Sequence, residues 1–248
     1  MIKSKYLIIN SFYFDFNNDL TYIINVGKLF KNQTVLDLER FNDLKIIKFN
    51  VFSENQIKHL RLPKNIEIIG DWAFANNKIE ILDLSYCINL KNIEEYAFKE
   101  NQIKHLKLPN NIEEIKLSTF MINQIETLNL SNCIKLKNTG DTAFYKNQIK
   151  RLKLHTNIEL IDCNSFLKNQ IESLDLSNYT KLKHIVFNAF FKNPLNEIKI
   201  LGNINIDYYD YSEYKEDLWT KFAKYYNENN KKEGDYKLEN NKWQWYPL

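Results

Sequence analysis

The chain has 248 residues, with 34 Lys and Arg against 31 Asp and Glu; a formal charge of +3 excludes the strongly basic field that drives nucleic-acid binding by counterion release. Three cysteines, Cys87, Cys133 and Cys163, form no CxxC and no Cys/His pair at metal-ligand spacing, so neither a disulfide framework nor a metal or other cofactor is expected. No apolar run reaches the roughly 18 residues of a membrane-spanning helix.

Residues 1–28 read as an N-terminal cap. Lys3 and Lys5 precede a short apolar run, but Asn10, Asp15, Asn17 and Asn18 interrupt it too early for a signal-peptide core, and no small-residue cleavage site follows. No export signal is read. Tyr6 to Phe16 alternates Tyr6, Ile8, Phe12, Phe14 and Phe16 and reads as a strand. Asp19 to Leu29 reads as a helix capped by Asn18 or Asp19, with Leu20, Ile23 and Ile24 on one face. A first, irregular repeat follows, since Phe30-Lys31-Asn32-Gln33 matches Tyr145-Lys146-Asn147-Gln148 and Leu36-Asp37-Leu38 matches Leu82-Asp83-Leu84.

From Phe52 to Asn193 one pattern returns seven times: a Phe, an Asn three residues later, and an aliphatic two residues after that. The phenylalanines are Phe52, Phe74, Phe98, Phe120, Phe144, Phe166 and Phe190, at intervals alternating between 22 and 24. A fixed period of this size marks a solenoid, in which stacking of turns makes the core. After each aliphatic comes a short period-two segment such as Leu60-Arg61-Leu62 or Leu82-Asp83-Leu84, which reads as a strand pairing in parallel with the same segment of the next turn. Two return paths explain the intervals. The short one runs through Leu62-Pro63 to Ile66, and the long one, two residues longer, through Asp83-Leu84-Ser85 to Leu90. Both lead back to a small residue and Phe, as at Ala73-Phe74.

The stretch Ile66-Glu67-Ile68-Ile69-Gly70-Asp71-Trp72-Ala73-Phe74 after Pro63 resembles the leucine-rich repeats of the BspA type, and the resemblance covers about residues 29–204. It differs in having Asn where that family's repeats commonly carry a Cys before the strand. The resemblance implies a leucine-rich-repeat solenoid with a parallel sheet on its concave face. It also implies a surface-exposed or secreted binding protein, often an adhesin. With no export signal read, a cytoplasmic location is the alternative.

The repeated Asn suits a tight turn in left-handed geometry, bonded to nearby backbone, and is read as structural. The outward strand positions are the candidate partner surface, since a solenoid's concave sheet is its usual binding surface. One outward column is irregular: His59, Ile81, His105, Thr127, Arg151, Ser173 and Glu197. The other alternates in charge: Arg61, Asp83, Lys107, Asn129, Lys153, Asp175 and Lys199, beside Lys58, Glu80, Lys104, Glu126, Lys150 and Glu172. Such pairs fix register and leave the face nearly neutral. His59 and His105, like Cys87 and Cys133, fall two turns apart, too far for a shared metal or a disulfide. No G-x-S-x-G and no glycine cluster supports catalysis, and no catalytic residue is assigned.

Residues 205–248 read as a C-terminal cap. A helix capped by Ser212 carries Leu218, Phe222 and Tyr225 on one face with Trp219 and Tyr226 beside it. A hairpin of Asp235–Glu239 and Lys242–Tyr246 then turns at Asn240-Asn241. The alternative use of this tail is an aromatic platform of Trp243, Trp245 and Tyr236 for sugar rings or a peptide. The sequence thus leads to a non-enzymatic, monomeric module that recognises another protein. Carbohydrate binding and an intracellular scaffold are the alternatives.

Overall fold

The structure, a computed structural model, describes residues 5–9, 12–16, 22–27, 34–209, 211 and 214–248. Each turn of the body has three sides. The first is a strand of three or four residues: β4 (Val35–Asp37), β6 (His59–Arg61), β8 (Ile81–Asp83), β10 (His105–Lys107), β12 (Thr127–Asn129), β13 (Arg151–Lys153), β15 (Ser173–Leu176) and β17 (Glu197–Ile200). Equal positions stack in parallel, as the period requires: Leu36 on Leu60, Leu82 on Leu106, Leu128 on Leu152 and Leu174 on Ile198.

A second parallel stack, of two-residue strands, forms the next side. Its members are β5 (Ile46–Ile47), β7 (Ile68–Ile69), β9 (Asn92–Ile93), β11 (Glu114–Ile115), β14 (Leu160–Ile161), β16 (His184–Ile185) and β18 (Asn205–Ile206). The sequence reading gave one sheet only. Strands this short lack a legible alternation, although their inward residues Ile47, Ile69, Ile93, Ile115, Ile161, Ile185 and Ile206 recur at the spacing of the turns, with Thr139 in the place between Ile115 and Ile161, and are buried. The ladder lapses after β11 and resumes at an isolated pairing of Asn138 with Leu160. Gly140 occupies that gap with φ +80°, and a Cβ there would lie 2.4 Å from the Ile115 carbonyl oxygen, so only glycine fits.

The third side holds the Phe and Asn columns. The seven phenylalanines are fully buried, and successive rings stack 5.1 to 5.7 Å apart, within 13° of parallel. Backbone bonds tie this side between turns, for example from Phe74 N–H to Ala97 O and from Asn76 N–H to Lys99 O. Two residues per turn, two before and two after each Phe, have φ between +52° and +61°, and none is glycine; Trp72 and Asn76 flank Phe74, and Ser118 and Ile122 flank Phe120. This corrects the expectation for the repeated Asn. The left-handed residue is its predecessor, and Asn123 and its equivalents use their side chains instead.

From Asn77 onward each such Asn amide bridges two turns. Asn123 Nδ2 donates to Phe98 O of the turn before and Phe120 O of its own, while its Oδ1 accepts from Ile103 N–H. Asn77, Asn101, Asn147, Asn169 and Asn193 repeat the arrangement. An amide with two donors and an acceptor satisfies buried backbone groups that would otherwise be orphaned, so the column is structural.

Two expectations at the N-terminus are corrected. Tyr6 to Phe16 is not one strand but an antiparallel pair, β1 (Lys5–Ile9) and β2 (Phe12–Phe16), with Ile9 opposite Phe12. The described part of the segment read as a helix is strand β3 (Tyr22–Gly27), antiparallel to β2 and parallel to β5, and the expected cap at Asn18 or Asp19 lies outside the described residues. The β-branched residues Ile23, Ile24 and Val26 favour this, and the pairing supplies the first rung of the short-strand stack.

At the other end, helix α1 (Leu218–Glu228) begins later than expected, because Asp217 caps it: its Oδ1 accepts from Trp219 and Thr220 N–H. The expected cap, Ser212, lies outside the described residues. The buried face is Trp219, Thr220, Phe222, Ala223 and Tyr226, with Leu218 and Tyr225 at its margin. The hairpin forms as read, as β19 (Gly234–Glu239) and β20 (Lys242–Tyr246), and β19 pairs antiparallel with β17; the long-strand ladder lapses between β10 and β12 and between β13 and β15, so the hairpin extends the sheet of β15 and β17.

Candidate functional surface

Inward residues of the long strands are core, so alternation turns the other two positions outward. His59, Ile81, His105, Thr127, Arg151 and Ser173 are exposed and Glu197 is partly so. Val35 extends this column by one turn. Ile81 is 58% exposed and stands in register between His59 and His105, so the two imidazoles are separated by a whole turn and do not form a joint site. Arg151 is pinned sideways, its Nε and Nη2 both donating to Thr127 Oγ1.

The neighbouring column carries Arg61, Asp83, Lys107, Asn129, Lys153, Asp175 and Lys199, preceded by Asp37. Adjacent turns pair across it: Arg61 lies 3.7 Å from Asp37, and Lys107 3.1 Å from Asp83. Lys104 lies 3.9 Å from Glu80 at the residue ahead of the strand. Partial burial would raise the Asp83 carboxyl, but bonds from the Ser85 hydroxyl and amide and from Lys107 hold it below the usual carboxylate range. Each of these exposed pairs contributes about 0.2–1 kcal/mol.

The short-strand side carries a second alternation that the sequence reading missed. Lys45, Glu67, Lys91, Glu113, Lys137, Glu159 and Lys183 occupy one position per turn, and Lys45–Glu67 and Lys137–Glu159 pair at 3.1 Å. A turn that is basic on the long-strand side is acidic here, and the next turn is the reverse. The signal was available in the Lys/Glu alternation at 22- and 24-residue spacing. A shallow groove beside it is lined by Lys135, Lys137, Lys181, Glu113, Glu159 and Ile134.

The three proposed platform residues do not share one surface. Tyr236 and Trp243 are buried beneath α1, where each meets Phe222 edge-on, and only Trp245 is partly exposed. Trp245 Nε1 donates to Glu233 O, and Lys232 lies 5.0 Å from its ring centre. Packing against a helix that itself needs cover explains why these aromatics turn inward.

Cys87 and Cys133 are free, buried and pushed up by burial, to about 12 and about 11. Tyr179 fills the equivalent place in the next long turn, where its hydroxyl both donates to Leu154 O and accepts from Leu154 N–H. Among the described residues no three His, Cys, Asp or Glu side chains gather as a metal site, and no helix is long and apolar enough to cross a membrane.

Stacked parallel turns of 22 and 24 residues with a buried aliphatic, Phe and Asn per turn define a leucine-rich-repeat solenoid. The BspA-type leucine-rich repeat model matches residues 24–138 and 91–215 in six copies, and the chain belongs to that family. Among solved structures, it is similar to a leucine-rich cell surface protein from Faecalibacterium prausnitzii A2-165, at 18% identity and a TM-score of 0.61 over 81% of this chain. The chain spans 55% of the length of that protein. A leucine-rich repeat protein from Bacteroides ovatus aligns at 13% identity and a TM-score of 0.36, over 87% of this chain and 68% of its own. No curated protein matched the sequence.

Proposed function

We propose that this protein is a non-enzymatic recognition module that binds another protein through the outward columns of its long strands, and that it acts at the cell surface. The observation that carries the reading is the contrast between columns on one strand. Inward positions repeat Leu or Ile at every turn, while the exposed neighbours run His59, Ile81, His105, Thr127, Arg151, Ser173 and Glu197. A strand that repeats its inward residue at every turn and varies where it meets solvent suits the reading of a partner. The surface location draws support from the F. prausnitzii protein, which is described as a cell surface protein.

The test has two arms. Protease shaving of intact native cells should cleave the protein; protection in intact cells with cleavage after lysis would sink the surface location. The purified chain should bind one or more members of a panel of extracellular-matrix proteins. The triple change Arg61→Glu, Lys107→Glu and Lys153→Glu should weaken that binding at least tenfold, while Trp245→Ala leaves it intact. The reverse result would move the site to the C-terminal aromatics.

A further inference from the structure

The charge alternation of the long-strand face makes that face complementary to itself. From β6 to β15 the turns read basic, acidic, basic, acidic, basic, acidic, with Lys58 and Arg61 in the first and Glu172 and Asp175 in the last. Consider two copies face to face, related by a two-fold axis. An axis along the solenoid sets every turn on its own equivalent, like charge on like, and an axis along any one strand does the same. An axis parallel to the strands and midway between β10 and β12 behaves differently. It sets β10 on β12 of the other copy, β8 on β13 and β6 on β15, so each basic turn meets an acidic one.

Strand direction is preserved by that axis, so columns meet like columns. Arg61 then faces Asp175, Asp83 faces Lys153, and Lys104 faces Glu126. These six charges each gain an opposite charge from above in addition to the opposite charges beside them in their own copy, while Lys107 meets the neutral Asn129. Ile81 comes over the Arg151 side chain, whose aliphatic stem can cover it. Isologous two-fold contacts of this kind are the commonest symmetric association.

We infer that a second copy of this chain is an occupant of the long-strand face, in a weak, salt-sensitive dimer. The inference rests on the proposal that this face is the recognition surface. Its strength follows from size: eight strands about 4.8 Å apart and three residues of about 3.3 Å give a face of about 34 by 10 Å. That is well under the about 800 Å² per partner of a stable complex, so association is transient and governed by complementary charge.

Sedimentation equilibrium of the full chain, over a concentration series at about 20 mM and about 500 mM salt, tests this. At low salt the weight-average mass should climb toward twice the chain mass, with Kd rising at least tenfold at high salt. Making the outward column of Arg61, Lys107 and Lys153 acidic, by Arg61→Glu, Lys107→Glu and Lys153→Glu, turns the Arg61–Asp175 and Asp83–Lys153 contacts repulsive, and this acidic-face variant should stay monomeric. So should a face made basic by Asp83→Lys, Glu126→Lys and Asp175→Lys. Their equimolar mixture should associate. Changing Lys45, Lys91 and Lys137 to Glu, on the short-strand side, should leave self-association intact.

A wild type that stays at the chain mass throughout the low-salt series overturns the proposal, as does undiminished association of the acidic-face variant. Loss of association in the short-strand control also overturns it, because the contact would then lie elsewhere. Recognition of a different protein is judged separately, by the matrix panel, so a monomeric wild type that still binds there removes only the dimer.

Discussion

The repeat body and the C-terminal cap solve one problem by opposite means. In the body each ring meets its own translated image, so the phenylalanines stack nearly parallel, and each backbone donor meets the matching carbonyl of the next turn. At Phe190 the repetition stops and Trp219 closes the column at 60°. The donors left over there are met one by one. Lys192 N–H, whose equivalents bond to Leu167 O, Phe191 O and so on, finds Asp217 Oδ2 instead, at 2.8 Å. Tyr226 hydroxyl takes Ile204 N–H and donates to Leu201 O, as Tyr179 does within the body for Leu154. A body can reuse one solution for every turn; a cap has to imitate the missing turn with unrelated side chains.

The sharpest way to break the comparison is within the rings. Phe120→Ala, mid-column, should cost about 3–5 kcal/mol in denaturant unfolding. Trp219→Ala should cost a similar amount, but hydrogen exchange should then show protection lost beside the cap and retained around Phe98. Uniform loss throughout would mean that the cap is not a separate unit. Next in size is Asn123→Ala, which strands Ile103 N–H and removes donors from two carbonyls; a loss of about 3 kcal/mol is expected. Asn55, at the start of the column and only half-buried, should cost about 1 kcal/mol on the same change.

Alkaline titration separates the regions by chemistry. Cys87 in the body is raised by burial from 9.0 to about 12, and Tyr226 in the cap from 10.0 to about 12. Both folded-state values lie above the unfolded ones, so the folded chain holds more protons and stability falls as pH rises through that window. Cys87→Val should reduce the part of the decline that begins near pH 9.0, to which Cys133 also contributes, and leave the part that begins near 10.0. Thermal melts across that range would show it, and an unchanged curve would place the sensitivity elsewhere. The smallest effect is a gain: Ile122, β-branched at φ +55°, should stabilise the fold by about 0.5–1 kcal/mol when changed to Asn, which tolerates that region.

The solenoid, its alternating period, the Phe core and the outward columns were legible because translation along the axis turns equal spacing into contact. The second sheet was not, since two residues such as Ile68 and Ile69 are too few to show alternation. β3 was mistaken for a helix because Leu20, Ile23 and Ile24 also fit a helical face; pairing with β2 and β5 decides it. Asp217 rather than a Ser begins α1 because it also serves Lys192, a contact 25 residues away that no local pattern displays. The aromatic tail could be read as hairpin and helix, but not which ring would be covered. Burial of Trp243 and Tyr236 depends on α1 lying over them.

The pairing of one short and one long return with opposite charge on both sheets has a consequence for how such a chain can change length. Removing or duplicating a single turn would bring like charges together at the junction, Lys beside Lys on one side of the solenoid and Glu beside Glu on the other. A segment of 46 residues, as from Phe52 to Phe98, restores every neighbour. The natural increment of this molecule is therefore two turns, about 10 Å along the axis. Lineages that lengthen or shorten it by recombination should do so in that step, keeping the phase of the charge pattern.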